Sequence, residues 1–146
     1  MEKRKTVPAD LELLSRTLDV AAPELENTLR SLTVCIYKPG AVILKEGTIG
    51  TDVYVVLKGK VSVRQSRWFV LSKEVAQLGP GDLFGEIGFL MPTTRTASIV
   101  ANGRCEVFCM VLNDFKELLN SHSDLRFRIE EMARQRLYSL SSALHS

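Results

Sequence analysis

The hydrophobic period of this chain changes at Thr33, and that change sets the fold class. Before it the pattern is helical. Leu11, Leu14 and Leu18 recur at i, i+3 and i+7 within residues 8–20, and Leu25, Leu29 and Leu32 mark a second helical face from about Pro23 to Leu32. Pro23 suits a first helical turn, where its missing N–H costs nothing. After Thr33 come short β-rich pieces: TVCIY, AVILKE, DVYVVL, KVSVRQ, WFVLS and EVAQL, then TASIVA and CEVFCMVL. Glycine-bearing turns, KPG, EGTIG, KGK and GPGD, separate the earlier ones. Short strands so punctuated predict a mainly β protein with flanking helices. About eight antiparallel strands fit a jelly-roll barrel.

The tail returns to helix. Asn113 is expected to cap DFKELLNS. SHSD then breaks the pattern, and a last helix runs from about Asp124 to near Leu144 with Leu125, Ile129, Met132, Leu137 and Leu140 as its apolar positions. A length of 146 residues suits one domain. Its expected parts are N-terminal helices over 1–32, a β-roll over 33–111 and C-terminal helices over 112–146.

Several function classes are disfavoured. The net charge of +2 is too small to argue for nucleic acid or an anionic membrane surface. The apolar runs are short and broken by charge, so no membrane insertion by this chain is expected. MEKRKTVPADLE is basic but leads into no apolar segment of a secretory signal. The three cysteines, Cys35, Cys105 and Cys109, form no CxxC. They read as buried thiols in a reducing compartment, with Cys105 and Cys109 on one face of a strand. His122 and His145 are the only histidines and form no metal-ligand pair, so neither a metal nor a histidine-dependent nucleophile is expected.

The stretch GDLFGEIGFLMPTTRTASIVA, from Gly81 to Ala101, sets one acid and one base in apolar surroundings. Glu86 and Arg95 could simply pair with each other. Three local features suggest more. GEIGFL reads as a short helical turn entered through a glycine, whose free N–H groups suit an anion. Arg95 starts a strand, where a rigid guanidinium can donate two parallel hydrogen bonds to a phosphate. Thr96 adds a hydroxyl and Ala97 keeps the space small. A carboxylate in such a pocket suits a ligand that carries a sugar hydroxyl as well as a phosphate.

FGEIGFL followed by RTASIVA resembles the phosphate-binding cassette of cyclic nucleotide-binding domains, here residues 84–97. These domains occur in catabolite activator proteins, cyclic nucleotide-dependent kinases, exchange factors and cyclic nucleotide-regulated channels. KPGAVILKEGTIGTDVYVVLKGKVSV and the final helix pair are also similar to the family, so the resemblance covers roughly Leu25 to Leu140. It implies a sensor rather than an enzyme, with cyclic AMP or cyclic GMP as ligand and no cofactor. Glu86 would bind the ribose 2′-OH. Backbone N–H groups around Gly85, Ile87 and Gly88 would face the cyclic phosphate, and Arg95 and Thr96, with Ala97 beside them, would complete that subsite. Val63 and Ala76 match positions that pack against the purine. In the last helix Arg136 matches a base-capping arginine of the channel subgroup, and Leu140 an apolar lid residue. Gly88 departs from the Ala, Ser or Cys of many relatives.

The resemblance leaves the effector open. The tail is most similar to channels, which would place the domain on the cytoplasmic side of a membrane protein. A kinase regulatory subunit, a transporter domain and a stand-alone sensor are compatible with it. So is a catabolite-activator-type transcription factor without its helix-turn-helix, although no nucleic-acid contact is expected from this chain. A metal-dependent cupin would need histidines that the strands lack, and a degenerate roll would not be expected to keep Glu86 and Arg95. Thr96 can reach the amino group of a guanine folded over the sugar, and Arg136 can stack on either base. The reading leans to cyclic AMP.

Overall fold

A computed structural model of the chain describes residues 1–67, 70–86 and 95–145; of residues 67, 70, 71 and 137–145 it describes the backbone only. Helix gives way to sheet where the hydrophobic period changes. Strand β1 (Glu2–Arg4) precedes helices α1 (Pro8–Leu18) and α2 (Ala22–Thr28). Six strands follow: β2 (Thr33–Tyr37), β3 (Val42–Leu44), β4 (Asp52–Arg67), β5 (Val70–Leu78), β6 (Leu83–Phe84) and β7 (Ser98–Val111). Helices α3 (Leu112–Asn120) and α4 (Ser123–His145) close the chain. All pairings are antiparallel. The order is β1-β2-β7-β4-β5, with β3 added to β7 and β6 to β4.

The fold class is the expected one, but the strands are divided differently. Among the described residues there are seven. KGK and NGR bend strands instead of ending them, so DVYVVL and KVSVRQ lie in one strand, β4, and SIVA and CEVFCMV in another, β7, which begins only at Ser98, three residues after the expected strand start at Arg95. Gly59 sits at the bend with φ 86°, and a Cβ there would lie 2.6 Å from the Arg104 carbonyl oxygen. Only glycine allows both the angle and the approach. The β4–β7 register shifts around Lys58, and one extra residue exchanges the faces of a strand. On β4 the residues of one face are accordingly Tyr54 and Val56 before the bend and Val61 and Val63 after it. Strands β1 and β6 were not anticipated. Their short sequences carry too little alternation to be read.

The sheet separates two apolar clusters. Val53, Val55, Phe108 and Met110 face the helices and pack with Leu14, Leu25, Phe115, Leu118 and Ile129. The other face gathers Cys35, Tyr54, Val61, Val63, Phe84, Ala97 and Ile99. Cys35 and Cys105 are buried free thiols, and Cys109 is half-buried beside the same cluster.

Polar contacts fix the helices to one another. The expected Asn113 cap is a misreading: α3 begins two residues earlier, at Leu112, and its N-cap is Val111. Asp114 instead accepts hydrogen bonds from Ser31 N–H (3.0 Å) and Ser31 Oγ (2.6 Å), tying α3 to the segment before β2. His122 bridges the Leu118 carbonyl (3.0 Å) and Glu24 of α2 (3.1 Å). Arg128 of α4 donates to the Leu18 carbonyl at the end of α1 (2.9 Å). The first half of α4 is therefore held by the N-terminal helices.

Candidate functional site

The GPGD turn delivers the acid. Gly81 N–H donates to Val56 O (2.8 Å), Val56 N–H donates to Asp82 O (2.9 Å), and the Asp82 carboxylate accepts from Gly79 N–H (2.9 Å). The chain thus enters β6 alongside β4, with Tyr54 opposite Phe84 and their rings stacked at 4.9 Å. Gly85 follows with φ 85°. A Cβ there would meet the Asp52 carbonyl oxygen at 2.8 Å and Arg95 Nη1 at 3.2 Å, so the position requires glycine.

Glu86 is 2% exposed. Its carboxylate accepts a 2.6 Å hydrogen bond from Arg136 Nη1, which also donates to the Leu83 carbonyl. The buried charge is paired and hydrogen-bonded, as burial demands. Helix α4 therefore reaches from the N-terminal helices to the acid of the site.

Arg95 arrives from the other side. Its N–H donates to Thr48 O (2.7 Å) and its carbonyl accepts from Gly47 N–H (2.9 Å), so the turn EGTIG holds its backbone. Nη1 donates to the Gly85 carbonyl (3.0 Å) and Nη2 to the Asp52 carbonyl (2.9 Å). Nε is buried without a partner among the described residues. Glu86 and Arg95 do not pair with each other among the described residues. Each has its own partners, and Gly85 lies between them.

The remaining anticipated residues fall as follows. Thr96 and Ala97 lead from Arg95 into β7, with Ala97 buried against the second cluster. Val63 and Ala76 are direct cross-strand partners on β4 and β5; Val63 is buried and Ala76 exposed. Ile87 and Gly88, and with them the anticipated helical turn, lie outside the described residues, as does the Leu140 side chain. No group of three or more metal-ligating side chains is present among the described residues. No described helix is long and apolar enough to cross a membrane.

Three contributors were missed. Gly50 leaves the room in which the Arg95 guanidinium lies. Asp52 supplies a backbone carbonyl rather than its side chain. Gln65, buried in β4, donates from Nε2 to the Thr96 carbonyl (3.0 Å). Only Gln65 carried a signal: an amide on the apolar face of a strand.

The model of the family described as "Cyclic nucleotide-binding domain" matches residues 34–122. Human potassium/sodium hyperpolarization-activated cyclic nucleotide-gated channel 4 is 33% identical over 111 residues, covering 76% of this chain and 9% of that protein. Human channel 2 of the same group is 35% identical over 109 residues, covering 75% and 12%. The chain thus spans about a tenth of these curated relatives. Among solved structures, Thermus thermophilus catabolite activator protein superposes with a TM-score of 0.73 at 26% identity, covering 91% of this chain and 62% of that one. The regulatory domain of Toxoplasma gondii PKA, crystallised with cAMP, gives 0.71 at 27%, covering 85% and 49%. The arrangement around Gly85 and these likenesses agree: the chain belongs to the cyclic nucleotide-binding domain family.

Proposed function

We propose that this domain is a cyclic nucleotide sensor that binds cyclic AMP or cyclic GMP and transmits binding through its last helix. The observation that carries this reading is the convergence on Gly85 of a buried carboxylate, Glu86, and a half-buried guanidinium, Arg95, from separate elements. The carboxylate accepts from the ribose 2′-OH. The guanidinium, with its unpartnered Nε, pairs with the cyclic phosphate, helped by the Thr96 hydroxyl and the N–H groups of Gly85, Ile87 and Gly88. Ala97 keeps that subsite small, and Val63 and Ala76 form the wall for the purine. Arg136 and Leu140 of α4 cover the base.

The family is one of ligand-binding regulatory domains, and the domain acts by binding rather than by catalysis. Signal transfer follows from the position of α4. Arg136 engages Glu86, while Arg128 is fixed to Leu18 and His122 to Glu24. A ribose hydroxyl on Glu86 shares or displaces the Arg136 contact, so ligand binding biases α4 and, through it, α1 and α2. The ligand shifts that equilibrium only by its differential affinity for the two positions. The likeness to hyperpolarization-activated channels favours a cation channel as effector, with this domain at the cytoplasmic face and touching neither lipid nor nucleic acid. The likeness to catabolite activator protein supports a second reading, the ligand-binding part of a transcription factor. Pore helices or a helix-turn-helix in the flanking sequence of the full gene product would discriminate the two.

Calorimetric titration with cyclic AMP and cyclic GMP tests the sensor. The expected result is micromolar or tighter binding that Arg95→Ala removes. Absence of binding to well-folded protein would leave a degenerate roll.

A further inference from the structure

We propose that Gln65 is a specificity residue that reads the 2-amino group of guanine, so that the site prefers cyclic GMP. This rests on the cyclic nucleotide reading of the site and gives it a base preference.

Gln65 stands on β4 two residues beyond Val63 and therefore on the same face. The β4–β7 register, which runs Val63↔Ile99 and Arg64↔Ser98, brings it level with Ala97. The side chain is 1% exposed. Its Nε2 donates to the Thr96 carbonyl, which fixes the amide: the nitrogen must face that oxygen, so Oε1 points the other way. Oε1 has no hydrogen-bond partner. Among the described residues only two buried side-chain atoms are in that condition, Gln65 Oε1 and Arg95 Nε. Arg95 Nε lies against Gly50, while Gln65 Oε1 belongs to the side chain anchored on Thr96. Buried polar atoms are ordinarily satisfied, and an acceptor left open beside the candidate site marks a place that a ligand completes.

The chemistry narrows the ligand group. Oε1 can only accept, so it needs an N–H or O–H. The cyclic phosphate has neither. The ribose hydroxyl is taken by Glu86, an ionised and stronger acceptor. The base amino groups remain. Because the Gln65 amide is anchored to the residue after Arg95, the donor it meets must lie near the phosphate end of the ligand. In a purine folded over its sugar, the C2 substituent hangs above the ribose and phosphate, while the C6 substituent points to the far end. Adenine carries only hydrogen at C2. Guanine carries an amino group, which can donate one N–H to Gln65 Oε1 and the other to the Thr96 hydroxyl. The structure thus moves the preference away from cyclic AMP, to which the sequence leaned.

Cyclic IMP differs from cyclic GMP only in lacking the 2-amino group, which makes the pair a direct probe. Calorimetric titration of the wild-type domain should show cyclic GMP binding about tenfold tighter than cyclic IMP, the net worth of the amino group's hydrogen bonds to Gln65 and Thr96 together. In Gln65→Leu that ratio should fall to about threefold or less, the remainder coming from Thr96. The ratio cancels any loss common to both ligands, and the wild-type comparison needs no variant to fold. Equal wild-type affinities, or a leucine variant that keeps the wild-type ratio, overturn the role of Gln65. Binding of cyclic AMP with no binding of cyclic GMP overturns it while leaving the sensor reading intact. Binding of no nucleotide by folded protein overturns both.

Discussion

Gly50→Ala should damage the site although Gly50 is not itself a ligand-binding residue. A Cβ at Gly50 would lie 2.5 Å from Arg95 Cζ and closer still to Nε and Nη2. The loop has little freedom to move away, because Gly47 and Thr48 are hydrogen-bonded to the Arg95 backbone. The guanidinium must shift, and its bonds to the Gly85 and Asp52 carbonyls stretch or break. Hydrogen bonds to charged groups contribute about 1.5–3 kcal/mol each. With water replacing part of what is lost, the two together should cost about 2–3 kcal/mol of stability. With a urea slope of about 2 kcal/mol/M, the unfolding midpoint should fall by roughly 1 M. A displaced Arg95 should also weaken cyclic nucleotide binding by about tenfold or more. Gly79→Ala is the control. A Cβ there meets nothing within 4 Å, and its midpoint should stay within about 0.3 M of wild type. Wild-type midpoint and affinity in Gly50→Ala would refute the view that this glycine exists to seat Arg95.

The other predictions follow from single contacts. Arg95→Ala should weaken cyclic nucleotide binding roughly 30-fold to several thousand-fold in the same titration, as expected for truncating one member of a desolvated charge pair. Arg136→Ala leaves a 2% exposed carboxylate without its cation; since the Arg136 side chain is 27% exposed, the cost should be about 1–3 kcal/mol in urea unfolding. A double-mutant cycle with Glu86→Gln should return a coupling above about 0.5 kcal/mol, and a smaller value would show the pair to be incidental. The Arg4 guanidinium, at 2.7 Å, holds the Asp10 carboxyl below the usual aspartate range. That stability is therefore fully present at neutral pH and is lost as pH falls from about 3.9 through the lowered folded value. Arg4→Ala should flatten the acid limb of a stability–pH curve, and an unchanged limb would remove Asp10 from the account. Amide exchange of residues 130–140 should slow when cyclic nucleotide is added; equal protection with and without it would count against α4 as the lid.

The sequence alone determined what local chemistry can determine. The switch from a period near 3.6 to a period of 2 at Thr33 is a property of neighbouring residues, so the order of helices and strands could be read. The likeness to the family could be noticed because Gly85 and Glu86, and then Arg95, Thr96 and Ala97, form two short runs in one stretch of chain and their types state their chemistry. What the sequence did not contain was decided by contacts between distant segments. KGK looks like a turn, and only the closeness of Gly59 to Arg104 makes it a bend within one strand. Asn113 looks like a cap, but the tertiary fit of Asp114 to Ser31 goes with a helix that starts earlier. Nothing in the sequence excluded Glu86 and Arg95 from pairing with each other. In the folded chain Glu86 pairs with Arg136, fifty positions away, and Arg95 is seated on two backbone carbonyls in the space left by Gly50. Backbone carbonyls and empty space have no signature in a sequence. Only the packing of the loop before β4 and of the end of β6 against the segment leading into β7 brings them to the site.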